Sequence, residues 1–122
     1  MYVRLIIAGT RDFNSFESLE REVIDFLEEL NGGSAKGTEI ISGTARGADK
    51  LGEKFARKYS LTLTKCPANW DEYGKSAGYR RNVDMADYAN ACIVFWDGES
   101  KGTKHMIDIA KRKDLKLKIV MY

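Results

Sequence analysis

Apolar residues recur along this chain in two rhythms: short unbroken runs, and stripes spaced three and four residues apart. Residues 2–8, Tyr-Val-Arg-Leu-Ile-Ile-Ala, form a β-rich run closed by Gly9 and predict a first strand. Phe16, Leu19, Val23, Phe26, Leu27 and Leu30 share one face of a helix. Asn14 with Glu17 three residues on predicts its capping box, and Asn31-Gly32-Gly33 its stop. Residues 39–42 read as a second, buried strand, and residues 48–59 as a second helix with Leu51, Phe55, Ala56 and Tyr59 turned inward. The pattern then predicts strands at 61–66, 91–95 and 117–121, and helices at about 79–88 and 103–112. Pro67 to Gly78 reads as a long irregular loop. Such alternation predicts an α/β fold: one Rossmann-like three-layer domain over residues 1–122, with a parallel five-stranded sheet between helices on both faces. Right-handed crossovers make 3-2-1-4-5 the simplest strand order.

Composition narrows the class. The 122 residues are 43% hydrophobic, enough for a core, and no apolar run approaches the roughly 18 residues of a membrane span. A strand-like run at the very start predicts no signal peptide. The net charge of +2 argues against a strongly basic nucleic-acid binder but permits a local basic patch. Cys66 and Cys92 fall in buried-strand patterns, too few for a disulfide framework. A single histidine without a CxxC pair gives no common zinc signature, so no metal is expected. The expectation is a reduced, cytoplasmic protein with no membrane partner.

In an open parallel sheet, ligands bind beyond the carboxyl ends of the strands, where the strand order reverses. Three short loops fall on that edge: Gly9-Thr10-Arg11-Asp12, Ser42-Gly43-Thr44-Ala45-Arg46-Gly47-Ala48-Asp49, and Asp97-Gly98-Glu99-Ser100-Lys101-Gly102-Thr103. Each bears glycine and runs into a helix start, where backbone amides attract anions. Arg11 and Arg46 add fork-shaped donors suited to phosphate. One such loop is an ordinary tight turn; three on one edge predict an anion site. Arg80-Arg81-Asn82 opens the third predicted helix, where cations oppose the dipole and call for Asp84 or a bound anion as compensation. Trp70 and Tyr73 either cover a small loop-side core or stack on a base. Asp49 reads as a helix-start acid, a ribose-hydroxyl acceptor or a partner for Arg46. His105 and Trp96 read as helix-start and packing residues, and Met85 and Cys92 as core. An anion at the edge is expected to take amide bonds from residues 43–47 and 98–103 and charge from Arg11, Arg46 and Arg81.

Together these motifs resemble the SLOG superfamily, which joins the DNA-processing protein DprA (Smf) to the Lonely Guy phosphoribohydrolases, and within it the small YspA-like proteins of bacteria and phages. The resemblance rests on five segments in order: Gly9 to Phe13, Ser42 to Asp49, Pro67 to Trp70 with Tyr73-Gly74-Lys75 and Ala77-Gly78, Arg81-Asn82 with Met85-Ala86, and Trp96-Asp97-Gly98 with Ser100, Gly102 and Thr103. It implies a Rossmann-like fold and a nucleotide-type ligand, with no separate cofactor. Lonely Guy enzymes pair an arginine of the third helix with a glutamate three residues after a Gly-Thr. Arg81 fits the arginine, but the glutamate position is Met106, which cannot act as a general acid. Asp108 lies about 200° further around the helix.

The expectation is therefore a module that binds a nucleotide or nucleotide-derived signal, as a sensor or a phage sequestering protein. Two alternatives stand beside it. One is cleavage of a nucleotide N-glycosidic bond, with Arg81 and Asp49 as the residues to carry it. The other is weak DprA-like binding of single-stranded DNA, for which the near-neutral charge is unfavourable. The apolar helix faces leave room for a homodimer.

Overall fold

Alternate residues of the first strand, β1 (Val3–Gly9), go to opposite sides of the sheet. In the computed structural model, which describes residues 1–122, Val3, Leu5 and Ile7 join one buried cluster and Ile6 and Ala8 the other. A strand buried on both faces must be apolar throughout, which explains the unbroken run. β1 pairs in parallel with β2 (Thr38–Ser42) and β4 (Ala91–Trp96); β3 (Thr62–Lys65) and β5 (Lys116–Met121) form the edges. The order is 3-2-1-4-5, as the alternation predicts.

Helices α1 (Phe16–Asn31) and α2 (Ala48–Lys58) supply Leu19, Val23, Phe26, Phe55 and Ala56 to the first cluster. Helices α4 (Ala77–Tyr88) and α5 (Lys101–Arg112) supply Met85, Ala86, Met106 and Ile109 to the second. Between β3 and α4 lie a one-turn helix, α3 (Trp70–Tyr73), and a 3₁₀ turn (Gly74–Ser76).

The structure corrects several local expectations. The cap of α1 is Ser15, whose side chain accepts the Ser18 amide, one residue later than the Asn14 capping box. The segment 67–78 is not irregular: Asn69 accepts the Glu72 amide and starts α3. α4 begins at Ala77, so Arg80 and Arg81 sit beyond its first three residues and the dipole conflict eases. α5 begins at Lys101 because Ser100 caps it, accepting the Thr103 amide. Tyr59 is not inward; it ends α2 at the surface and donates to Glu20. Cys66 is only half-buried, whereas Cys92 is fully enclosed, and burial pushes its thiol up to about 12.

Candidate functional site

The carboxyl ends of β1, β2 and β4 converge because loop backbones pass close together, which only glycine permits at two positions. A Cβ on Gly9 would lie 2.3 Å from the Phe95 carbonyl oxygen, and one on Gly47 would lie 2.4 Å from that of Thr10. Gly47 also has a φ of 76°, a left-handed conformation. Thr10 completes the junction: its amide donates to the Phe95 carbonyl and its hydroxyl accepts the Asp97 amide.

At this junction a cavity of about 400 Å³ opens, within the usual range for small-molecule sites. Its walls come from four parts of the chain. Gly9, Thr10 and Arg11 line it from the first loop, and Ala45 and Asp49 from the second. Trp70 and Lys75 lean in from α3 and the 3₁₀ turn, and Gly78, Tyr79, Arg81, Asn82 and Met85 from α4. Ser100, Gly102, Thr103 and Met106 close it from α5.

Arg81 and Asp49 meet on the floor, over Gly43. A Cβ on Gly43 would sit 2.8 Å from Asp49 Oδ2 and 3.0 Å from Arg81 Nη1. Arg81 donates Nη1 to the Gly43 carbonyl and Nε to Asn82 Oδ1. Asp49 accepts the Ala45 amide at 3.1 Å. Burial pushes the Asp49 carboxyl up to about 6, against the pull of the Ala45 amide and the Arg81 charge. Neither ion pair considered from sequence forms: Arg46 does not bridge Asp49, nor Arg81 Asp84.

Under this floor, buried Glu53 accepts the Ser42 hydroxyl at 2.7 Å, and Ser42 Oγ accepts the Thr44 amide. Lys50, Lys65 and Arg57 surround Glu53 at 3.6–3.9 Å. Ser42 is thus a support for the loop rather than part of the cavity wall.

Some of the amides expected to take an anion are engaged within the loops themselves. The Thr44 and Ala45 amides are taken by Ser42 and Asp49, those of Glu99 and Ser100 by Asp97, and that of Thr103 by Ser100. The Asp97 carboxyl is held below its ordinary value by the Ser100 and Glu99 amides. Those five amides are engaged within their own turns, and the Arg11, Lys75 and Arg81 side chains line the cavity beside them.

Other expected residues take supporting places. Asp12 accepts the Tyr122 hydroxyl at 2.6 Å, and the Tyr122 ring packs edge-on against Phe13. Arg46 is exposed and outside the cavity lining, and Gly98 faces a neighbouring cleft. Trp70 and Tyr73 cover no loop-side core, since nothing in α3 is buried; Trp70 is 51% exposed and Tyr73 lies 4.3 Å beneath the Arg80 guanidinium. Trp96 packs partly into the second cluster and donates Nε1 to the Ser100 carbonyl. Met106 is buried in the cavity wall, while Asp108 faces the neighbouring cleft and pairs with Lys104 at 3.0 Å. Sequence reasoning did not single out Tyr79 or Met85 as wall residues. With α4 starting at Ala77, Gly78, Asn82 and Met85 follow the four-and-three spacing of one helix face, and that was the missing signal.

The model of the YspA, cpYpsA-related SLOG family matches residues 3–73, from β1 through α3. The chain belongs to that family. Among curated proteins, Gene 61 protein of Mycobacterium phage D29 is 30% identical over 115 residues, covering 89% of each chain. Two solved structures share the SLOG fold. DNA processing protein A from Streptococcus pneumoniae superposes with a TM-score of 0.74 at 17% identity over 97% of this chain. DNA processing protein A from Helicobacter pylori, described for its single-stranded DNA binding mode, gives 0.62 at 18% identity over 97%. The chain spans 50% and 65% of those two proteins. No helix of this SLOG domain is long and apolar enough to cross a membrane.

Proposed function

We propose that the cavity binds a nucleotide-type ligand, and that the protein acts as a sensor of such a molecule or as a protein that sequesters it. The observation that carries this reading is the convergence of Arg11, Lys75 and Arg81 with the half-exposed Trp70 ring around one cavity at the switch point of the sheet. The cations suit a phosphate, and the indole offers a face on which a base stacks. Asn82 supplies a side-chain amide beside them.

The test is a thermal-shift and calorimetric titration with 5′-nucleoside monophosphates. A ligand at 100 times its dissociation constant adds about 2.7 kcal/mol of stability, a readily measured shift. Arg81→Ala is expected to weaken binding roughly tenfold to a hundredfold, because a charge-assisted hydrogen bond contributes roughly 1.5–3 kcal/mol. Arg46→Ala, outside the cavity lining, is expected to leave affinity unchanged. Equal affinity in wild type and Arg81→Ala removes the phosphate reading.

A second reading has one observation in its favour. Asp49 is a carboxylic acid inside the cavity whose pKa, about 6, suits a proton donor near neutral pH. It stands where Met106 offers no carboxylate, so N-glycosidic cleavage would have to run through Asp49 with Arg81 on the phosphate. Release of free base, lost in Asp49→Asn with binding intact, would establish it; binding without base release rejects it.

A further inference from the structure

The first turn of α5 divides the carboxyl edge into two clefts. Ser100, Gly102 and Thr103 face the cavity described above. Lys101, Lys104 and His105 face the other way, into a second cleft of about 420 Å³ walled by Trp96. Tyr79 belongs to both clefts and is 43% exposed as a residue. It meets the His105 ring edge-on at 4.5 Å. His105 Nδ1 lies 3.2 Å from Asn82 Nδ2, which also reaches the Gly102 carbonyl. A side chain on Gly102 would meet nothing within 4 Å, so the crest between the clefts is bare backbone over which an elongated ligand can pass.

The two clefts differ in chemistry. The first sets Arg11, Lys75 and Arg81 against the single carboxylate of Asp49. The second balances Lys101 and Lys104 with Glu99 and Asp108, and Lys104 is already paired with Asp108 at 3.0 Å. A near-neutral cleft is a poor place for a second phosphate. It does carry flat faces: the Trp96 indole, held by its bond to the Ser100 carbonyl, and the Tyr79 and His105 rings. Such surfaces accept an uncharged base and sugar.

We propose that this second cleft is a nucleoside subsite, and that the protein takes a dinucleotide: phosphate and one nucleoside in the first cleft, the second nucleoside across Gly102 against Tyr79, Trp96 and His105. The proposal rests on the nucleotide reading of the first cleft. The size of each cleft fits one nucleotide unit.

The test compares 5′-monophosphates (pN) with 5′-phosphorylated dinucleotides (pNpN) of each base, and with a pentanucleotide. Affinities are taken on the wild type by calorimetry. For the fluorescence arm, Trp70→Phe keeps an aromatic face in the first cleft and leaves Trp96 as the sole tryptophan of the original two. There pN and pNpN are each added at concentrations that saturate that variant by calorimetry. We expect pNpN to bind at least about tenfold tighter than pN and to quench Trp96, whereas pN leaves its emission unchanged. His105→Ala should erase the gain while pN affinity holds. If that variant fails to fold, Trp96→Leu measured by calorimetry gives the same comparison. Equal affinities for pN and pNpN, with pN binding still dependent on Arg81, overturn the second subsite and spare the first reading. A gain that keeps growing to the pentanucleotide overturns the dinucleotide in favour of an open strand track. Binding of neither pN nor pNpN overturns both readings.

Discussion

Asp49 occupies the Ala45 amide that a bound anion would otherwise use, and it does so from a buried position. Its pKa rises from the ordinary 3.8 to about 6, so between those values the folded protein keeps a proton that the unfolded chain has lost. Stability therefore declines as pH rises through that interval, because the native state binds more protons there. The full swing is of order 3 kcal/mol, about two pKa units at 1.36 kcal/mol each. Asp49→Asn removes the titration and keeps an oxygen for the Ala45 amide. Urea unfolding at pH 4.5 and at pH 7.5 should show the variant gaining on wild type as pH rises; a constant difference between the two proteins refutes the assignment. Residue identity also separates Arg81 from Arg46, which look alike in the sequence. Arg81 stands on a helix that crosses above Gly43, whereas Arg46 is an exposed residue of the loop, outside the cavity lining.

At the level of elements, close backbone approach and side-chain bonds together hold the loops. Gly47→Ala combines a left-handed φ with a 2.4 Å clash against the Thr10 carbonyl. It should destabilise by more than about 1 kcal/mol and weaken ligand binding, since the first two loops can no longer touch. Equal melting temperatures for Gly47→Ala and wild type would show that the loops relax freely. Ser42→Ala should cost about 1–3 kcal/mol, read by the same unfolding measurement, because Glu53 loses its hydroxyl donor and the Thr44 amide its acceptor. The strands and their order were legible because Leu5 and Ile7 against Ile6 and Ala8 leave no polar face for solvent. The glycine loops were legible because a parallel sheet puts every strand end that precedes a helix on one edge. What stayed hidden depends on tertiary neighbours. Asn14 and Ser15 are equally good caps in isolation, and only the fold selects Ser15. The segment around Trp70 carries a single helical turn, too short to give a periodic signal, so the pattern starts the following helix at Tyr79, two residues after its true beginning.

For the whole molecule, a net charge of +2 hides a local excess on the carboxyl edge, where Arg11, Lys75, Arg80 and Arg81 gather. Single-stranded DNA passing over those four cations would release few counterions. The slope of log affinity against log salt should be no steeper than about −3, four contacts at about 0.7 each. A slope beyond about −4 in fluorescence anisotropy would mean a wider track than this edge provides. The cavity draws Arg11 and Asp49 from the loop after β1 and from α2 on one face of the sheet, and Arg81 and Thr103 from α4 and α5 on the other face. A ligand seated there ties the two helical layers together across the sheet edge, so neither can lift off alone without releasing it. In hydrogen-exchange experiments, saturation should slow amides far from the cavity, such as those of β5 paired to β4, by lifting the energy of the sub-global opening that exposes them. Occupancy would then be written into the breathing of the entire sheet, and a partner sensitive to that motion would read the bound state at a distance.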